Sequence, residues 1–210
     1  MIDQIKIQLK TIFENDSSGH DYSHTLRVYN NALAIAKNES CDTLLVSLAA
    51  LLHDVDDPKL FNTQDHSNAR KIMTSCGIDD EIQEKVISII IEVPFKGCQS
   101  TSPSTIEGKI VQDADRLDAL GAIGIARTFA YGGYQRKSIY DPDIPPNTTL
   151  SAEEYLHSPT TSINHFYEKL FHLKRLMNTD TARNLAEERD KYMHDFVNKF
   201  LSEWKGIDTP

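Results

Sequence analysis

At 210 residues, 40% hydrophobic and 25% charged, the chain has the length and composition of one globular domain over 1–210, enough to bury a core. Its formal net charge of −9 and pI near 5.3 exclude the basic stripe that a nucleic-acid binder sets against phosphates, although a metal and a few local cations can still hold a nucleotide. Cys41, Cys76 and Cys98, in no Cys-x-x-Cys pair, read as reduced thiols of a cytoplasmic protein, with neither a secretory leader nor an apolar run near the ~18 residues of a membrane span.

Almost every periodic segment has helical spacing, and no strand pattern stands out. Ile5, Leu9, Ile12 and Phe13 place an apolar stripe on a helix over 2–14. Asp21 suits the N-cap of a second helix reaching Lys37. The run from Leu44 to Leu52 predicts a buried helix over 43–54. A short helix spans His66 to Cys76 and stops at Gly77; another starts at Asp79 or Asp80 and ends before Pro94. Gly97 to Ser104 reads as loop, and Thr105 to Tyr131 as one long helix with Gly121 and Gly124 as candidate bends. After a polar segment opened by Gly132-Gly133, two amphipathic helices close the chain. One carries Ile163, Phe166, Leu170, Leu173 and Met177; the other carries Tyr192, Phe196, Phe200 and Trp204. The expected fold is all-α.

The dipeptide His53-Asp54 ends the most apolar segment of the chain. A carboxylate delivered there is costly to bury unless it is paired or bound to a metal. The imidazole beside it adds nitrogen to oxygen, the mixed donor set of a first-row divalent ion. Further donors stand at His24, 29 residues upstream, and Asp115, 61 residues beyond Asp54. Three phrases surround these donors: His-Thr-Leu-Arg-Val from His24, Ala-Leu-Leu-His-Asp-Val from Ala50, and Asp-Ala-Asp-Arg-Leu-Asp-Ala-Leu-Gly-Ala from Asp113. In this order, over about residues 19–135, they resemble the HD-domain superfamily of metal-dependent phosphohydrolases, and most of all its small single-domain bacterial branch.

The resemblance implies a helical HD bundle, with a metal-site core over 19–135 and C-terminal helices over 151–205 packing on it. It also implies one divalent ion per chain on His24, His53, Asp54 and Asp115. Manganese is the first expectation, with iron, cobalt, nickel, zinc or magnesium as alternatives. Two-metal relatives recruit extra histidines between the dipeptide and the last aspartate, where this chain has only His66. His165 and His172, seven apart on a mostly polar face, are expected to be solvated.

Helical phase separates the three acids of the long helix. Ile110, Ala114, Leu117 and Gly121 define its packed stripe, with Asp115 on one flank and Asp113 on the other. Asp113 is therefore expected to be a flank charge whose loss is nearly neutral. Asp118 points inward, as a substitute ligand or as an acid behind the ligands on the substrate side. In related hydrolases an acid three places after the His-Asp aspartate sits near the metal-bound water, and that position is Asp57 here. Lys59 could balance Asp57 or hold a phosphate oxygen; Arg27 could reach a phosphate or pair with an acid such as Asp118. His66 could donate to an anion, and His20, ahead of the Asp21 cap, is the weaker candidate ligand. Phe129, Tyr131 or Tyr134 could stack a base or simply pack.

The expected activity is hydrolysis of a small phosphorylated substrate, a nucleotide first, with a (deoxy)nucleoside triphosphate pyrophosphohydrolase as the leading reading. A nucleotidase or phosphodiesterase on the same metal set, and a catalytically silent nucleotide-binding module, are the alternatives. No nucleic-acid or membrane partner is expected, and a homodimer is left open.

Overall fold

The structure is a computed structural model, and it describes residues 1–14, 21–58, 60–94, 101–147 and 160–207. His20 and Lys59 lie outside the described residues. The described residues are all-α, as expected, and they form two compact units, Met1–Asp115 and Arg116–Pro210.

The first unit is built around α3 (Thr43–Leu52), which starts where Asp42 accepts the Leu44 and Leu45 N–H groups. Every residue from Val46 to Leu52 is buried, each large apolar side chain contributing about 1.5–3 kcal/mol. Around it pack α1 (Ile2–Ile12), α2 (Tyr22–Ala36) and α5 (Asp80–Glu92). The short α4 (Ser67–Ser75) bridges α1 and α5 and stops at Gly77, whose φ of +72° only glycine adopts freely. Asp79 caps α5 through the Ile82 N–H. Asn31 Nδ2 donates to the Ala114 carbonyl at 3.4 Å, tying α2 to α6 (Ile106–Asp118).

The long helix expected over 105–131 is two helices, α6 and α7 (Gly121–Tyr134). Leu120 is extended and Gly121 has φ +69°, a break glycine supplies without a Cβ clash. The freed carbonyls at the end of α6 are taken by arginines: Arg189 Nη1 donates to Leu117 O at 2.6 Å and Arg127 Nη1 to Asp118 O at 3.4 Å. A Cβ at Gly124 would lie 2.2 Å from the Ala119 oxygen, so the turn needs glycine twice.

In the second unit, residues 162–176 form α8, which changes type along its length. It runs as α-helix (Ser162–His165), a π turn (Phe166–Leu170), α-helix (Phe171–Leu173) and a 3-10 turn (Lys174–Leu176). Its expected stripe, Ile163 to Met177, is buried. The final helix α9 (Asp180–Trp204) corrects the expected one, because Tyr192 and Trp204 are 55% and 53% exposed. The face that α9 buries is Ala182, Ala186, Met193 and Val197, whose two alanines permit close approach. The aromatic residues pack sideways instead: Phe196 meets Phe129 and Phe166, and Trp204 stacks on Phe200 and meets Tyr140 edge-on. Among the described residues, no helix is long and apolar enough to cross a membrane.

Candidate metal centre

Three helix ends or faces of the first unit converge on one point. Asp21 caps α2 by accepting the His24 N–H at 2.7 Å, which sets His24 in the first turn, fully buried. His53 ends α3, and its Nδ1–H donates to the Ala50 carbonyl at 2.9 Å. That bond fixes the Nδ1 proton, so Nε2 faces the carboxylates and can ligate a metal once its own proton leaves. Asp54 follows directly, and Asp115 comes from α6.

The distances are uniform. Asp54 Oδ2 lies 3.3 Å from His24 Nε2 and 3.3 Å from His53 Nε2, and Asp115 Oδ1 lies 3.5 Å from His24 Nε2. Ligating atoms of His24, His53 and Asp115 all fall within 4.8 Å of one another. The two imidazoles meet edge to face, with centroids 5.4 Å apart. An ion about 2.1 Å from each donor would set them about 3.0 Å apart at right angles and about 3.4 Å apart at tetrahedral angles, so the spacing fits. His53 Nε2 is buried and makes no aligned hydrogen bond among the described residues, a costly state that a metal relieves. Burial works against charging His53, but the carboxylates of Asp54 and then Asp115 raise its pKa to about 9. The pocket wants positive charge.

The other expected residues are placed as follows. Arg27 is half-buried on α2, one turn after His24. Asp57 is half-buried in the turn after the dipeptide: its N–H donates to Asp54 O, and its carbonyl accepts from Leu60 and Phe61. His66 is the residue before α4, with φ +53°. Asp118, in the second unit, is 1% exposed and ion-paired to Arg127 Nη1 at 2.6 Å. Asp113 departs from expectation: it is fully buried, so it is no flank charge. The stripe of Ile110, Ala114 and Leu117 is buried, and α6 is covered on a further side that takes in Asp113.

Away from the centre, His165 is half-buried, its pKa lowered to about 3 by burial and then by Lys169 and Lys137. It is not the solvated histidine expected, whereas His172 is exposed. Phe129 belongs to the aromatic cluster of the second unit, and Tyr131 and Tyr134 are exposed. Sequence reasoning missed Asp56, whose carboxylate holds the start of α4; the signal lies 12 residues away at Asn68 and leaves no local pattern.

The profile of the HD domain family matches residues 21–120, which include all four converging side chains. YpgQ of Bacillus subtilis is 39% identical over 99% of this chain and 95% of its own length. The chain belongs to the HD domain family. Its fold resembles the solved HD-superfamily hydrolase from Bacillus thuringiensis, with TM-score 0.77 and 41% identity over 97% of this chain and 96% of that one. It also resembles the structure of Bacillus subtilis YpgQ in complex with ADP, with TM-score 0.79 and 37% identity over 99% and 100% of the two chains. The protein is therefore an HD-superfamily hydrolase of the metal-dependent phosphohydrolase kind, and HD domains bind divalent metals.

Proposed function

We propose that this protein is a cytoplasmic (deoxy)nucleoside triphosphate pyrophosphohydrolase that uses one divalent ion, manganese first, on His24, His53, Asp54 and Asp115. The observation that carries the metal assignment is that Asp54 Oδ2 lies 3.3 Å from both His24 Nε2 and His53 Nε2 and Asp115 Oδ1 lies 3.5 Å from His24 Nε2, with both ring nitrogens buried. The ADP bound by YpgQ supports a nucleotide as the ligand class. When bound, the ion lowers the pKa of a water and polarises a phosphoryl oxygen.

The chain's own residues do the rest. His53 keeps its Nδ1 proton on Ala50 O, so the ring cannot turn and Nε2 stays aimed at the centre. Asp57, held by its N–H on Asp54 O, orients the attacking water and accepts its proton. Arg27, Lys59 and His66 neutralise the phosphate oxygens as charge moves during in-line displacement. Asp118, buried against Arg127, sets the substrate-side end of α6.

The test is product analysis across a panel of ribo- and deoxynucleoside mono-, di- and triphosphates, with metal content measured on the same sample. Pyrophosphate plus monophosphate supports the proposal. Inorganic phosphate plus nucleoside from monophosphates would make it a nucleotidase, and turnover of diesters alone a phosphodiesterase. A metal-loaded sample that hydrolyses nothing in the panel would leave a nucleotide-binding module.

A further inference from the structure

The segment following the His-Asp dipeptide is locked from a distance. Asp56 Oδ1 accepts the Asn68 N–H at 3.0 Å and Asp56 Oδ2 accepts the Ala69 N–H at 2.9 Å, while Asn68 Nδ2 donates to Val55 O at 2.8 Å. These bonds join residues 12 or 13 apart and fasten the first turn of α4 to the residues one and two places beyond Asp54. Two of the N–H groups that open α4 are thereby satisfied, so the helix start is not an open anion site. The cost falls on the residues just before it. Asp65 and His66 both have φ +53°, a left-handed backbone that side chains other than glycine rarely adopt, and two in succession are rarer still. His66 makes no side-chain cap bond, and its Nδ1 is buried with no hydrogen-bond partner among the described residues; Thr63 Oγ1 is in the same state. A helix start that needed only a cap would be met by serine or glycine without strain. Strain kept together with an unsatisfied ring nitrogen is the pattern of a side chain held for a ligand.

We propose that Asp56 is a positioning residue: it pins the start of α4 and so holds the His66 imidazole, strained and unsatisfied, as a donor for an oxyanion of the substrate. This rests on the phosphohydrolase reading, and it adds what makes His66 available.

The test uses the full chain loaded with zinc, a diamagnetic ion that leaves nearby resonances sharp, and inorganic pyrophosphate as the probe, read by the NMR resonances of the His66 ring and by calorimetric affinity, neither of which needs turnover. In the wild type, pyrophosphate should shift the His66 ring. In Asp56→Asn, which keeps one acceptor oxygen, the ring resonance should already be displaced, and affinity should fall at least fivefold while metal content stays unchanged. The double variant Asp56→Asn/His66→Ala should bind no more weakly than His66→Ala alone, because the two residues act in series. An unshifted His66 ring, wild-type affinity in Asp56→Asn, or additive losses would overturn the proposal. His66→Gly covers the case in which Asp56→Asn does not fold, since glycine accepts the left-handed backbone. It should melt at or above the wild-type temperature and lose affinity at least fivefold, and a lower melting temperature or unchanged affinity would equally overturn the proposal. Absence of hydrolysis by the wild type, measured separately, would speak against the phosphohydrolase reading and not against the link between Asp56 and His66.

Discussion

Raising the pH should loosen the metal-free protein and tighten its hold on metal, because one proton on His53 stands where the ion would go. The His53 pKa is about 9 instead of 6.5, with burial opposing the shift and Asp54 and Asp115 driving it. A raised folded-state pKa contributes stability that is fully present below the unfolded value of 6.5 and is lost as pH rises through about 9. The shift of about 2.5 units corresponds to about 3 kcal/mol at ~1.4 kcal/mol per unit. At about 2–4 °C per kcal/mol for a chain of this length, the metal-free Tm should fall by roughly 6–12 °C between pH 6.5 and 9. Metal binding must displace that proton, so at pH 7 the apparent affinity should be weaker than its limiting value by about 10², improving about tenfold per pH unit until it levels near pH 9. The assay is a melting curve of metal-free protein at several pH values, with His53→Ala as the subtraction control, together with calorimetric manganese titrations over the same range. A wild-type-minus-variant Tm difference that stays flat or rises with pH would refute the reasoning, as would a manganese affinity independent of pH between 6.5 and 8.5.

The ligand set itself predicts that His53→Ala or Asp54→Ala loses the metal and all hydrolysis while circular dichroism keeps its helical signal; full activity in Asp54→Ala would overturn the assignment. Asp115→Asn should likewise lose metal, whereas Asp113→Asn, at a fully buried position, should keep metal and lose about 1–3 kcal/mol of stability by denaturant titration. Asp118→Ala strands the Arg127 guanidinium, itself partly exposed, and should cost about 3 kcal/mol, toward the lower end for a broken buried pair. Asp57→Asn should retain the metal and lower kcat by about 10²–10⁴, and Lys59→Ala should raise KM if it grips a phosphate that does not react, or lower kcat if it touches the one transferred.

The convergence of His24, His53, Asp54 and Asp115 was legible through the order of the family phrases around them, and their local settings are a capped helix start at Asp21, the inner end of an apolar run at His53 and a packed stripe beside Asp115. Stop and cap residues also placed the end of α4 at Gly77 and the start of α5 at Asp79 or Asp80, and the apolar run placed α3 from residue 43. What these signals could not deliver was how many sides of a helix are covered. Asp113 lies off the main stripe of α6 and is nonetheless buried, and Tyr192 lies on an apolar stripe of α9 and is exposed. Both depend on which neighbours arrive, which a single helix does not encode. The break before Gly121 was visible as glycine, but its completion was not. It needs Arg127 and Arg189 to cap the carbonyls of α6, residues 9 and 72 positions further on.

Charge counting explains why the chain needs cations outside the ligand set. Asp54 and Asp115 bring two negative charges into a pocket with two imidazoles, of which His53 holds its proton up to about pH 9 without metal. A divalent ion in place of the proton brings the pocket to zero charge, which removes the cost of burying the carboxylates but leaves no surplus to attract a polyanion. In a chain of net charge −9, the pull on the triphosphate proposed as substrate would then come from a few local groups. Arg27 one turn beyond a ligand, Lys59 five positions after Asp54 and His66 at the start of α4 are the groups proposed for it, because Arg116, adjacent to Asp115, is buried and donates to the Leu176 carbonyl. On that accounting, the proposed function has the metal set the reacting oxygen and Arg27, Lys59 and His66 set which anion comes to it.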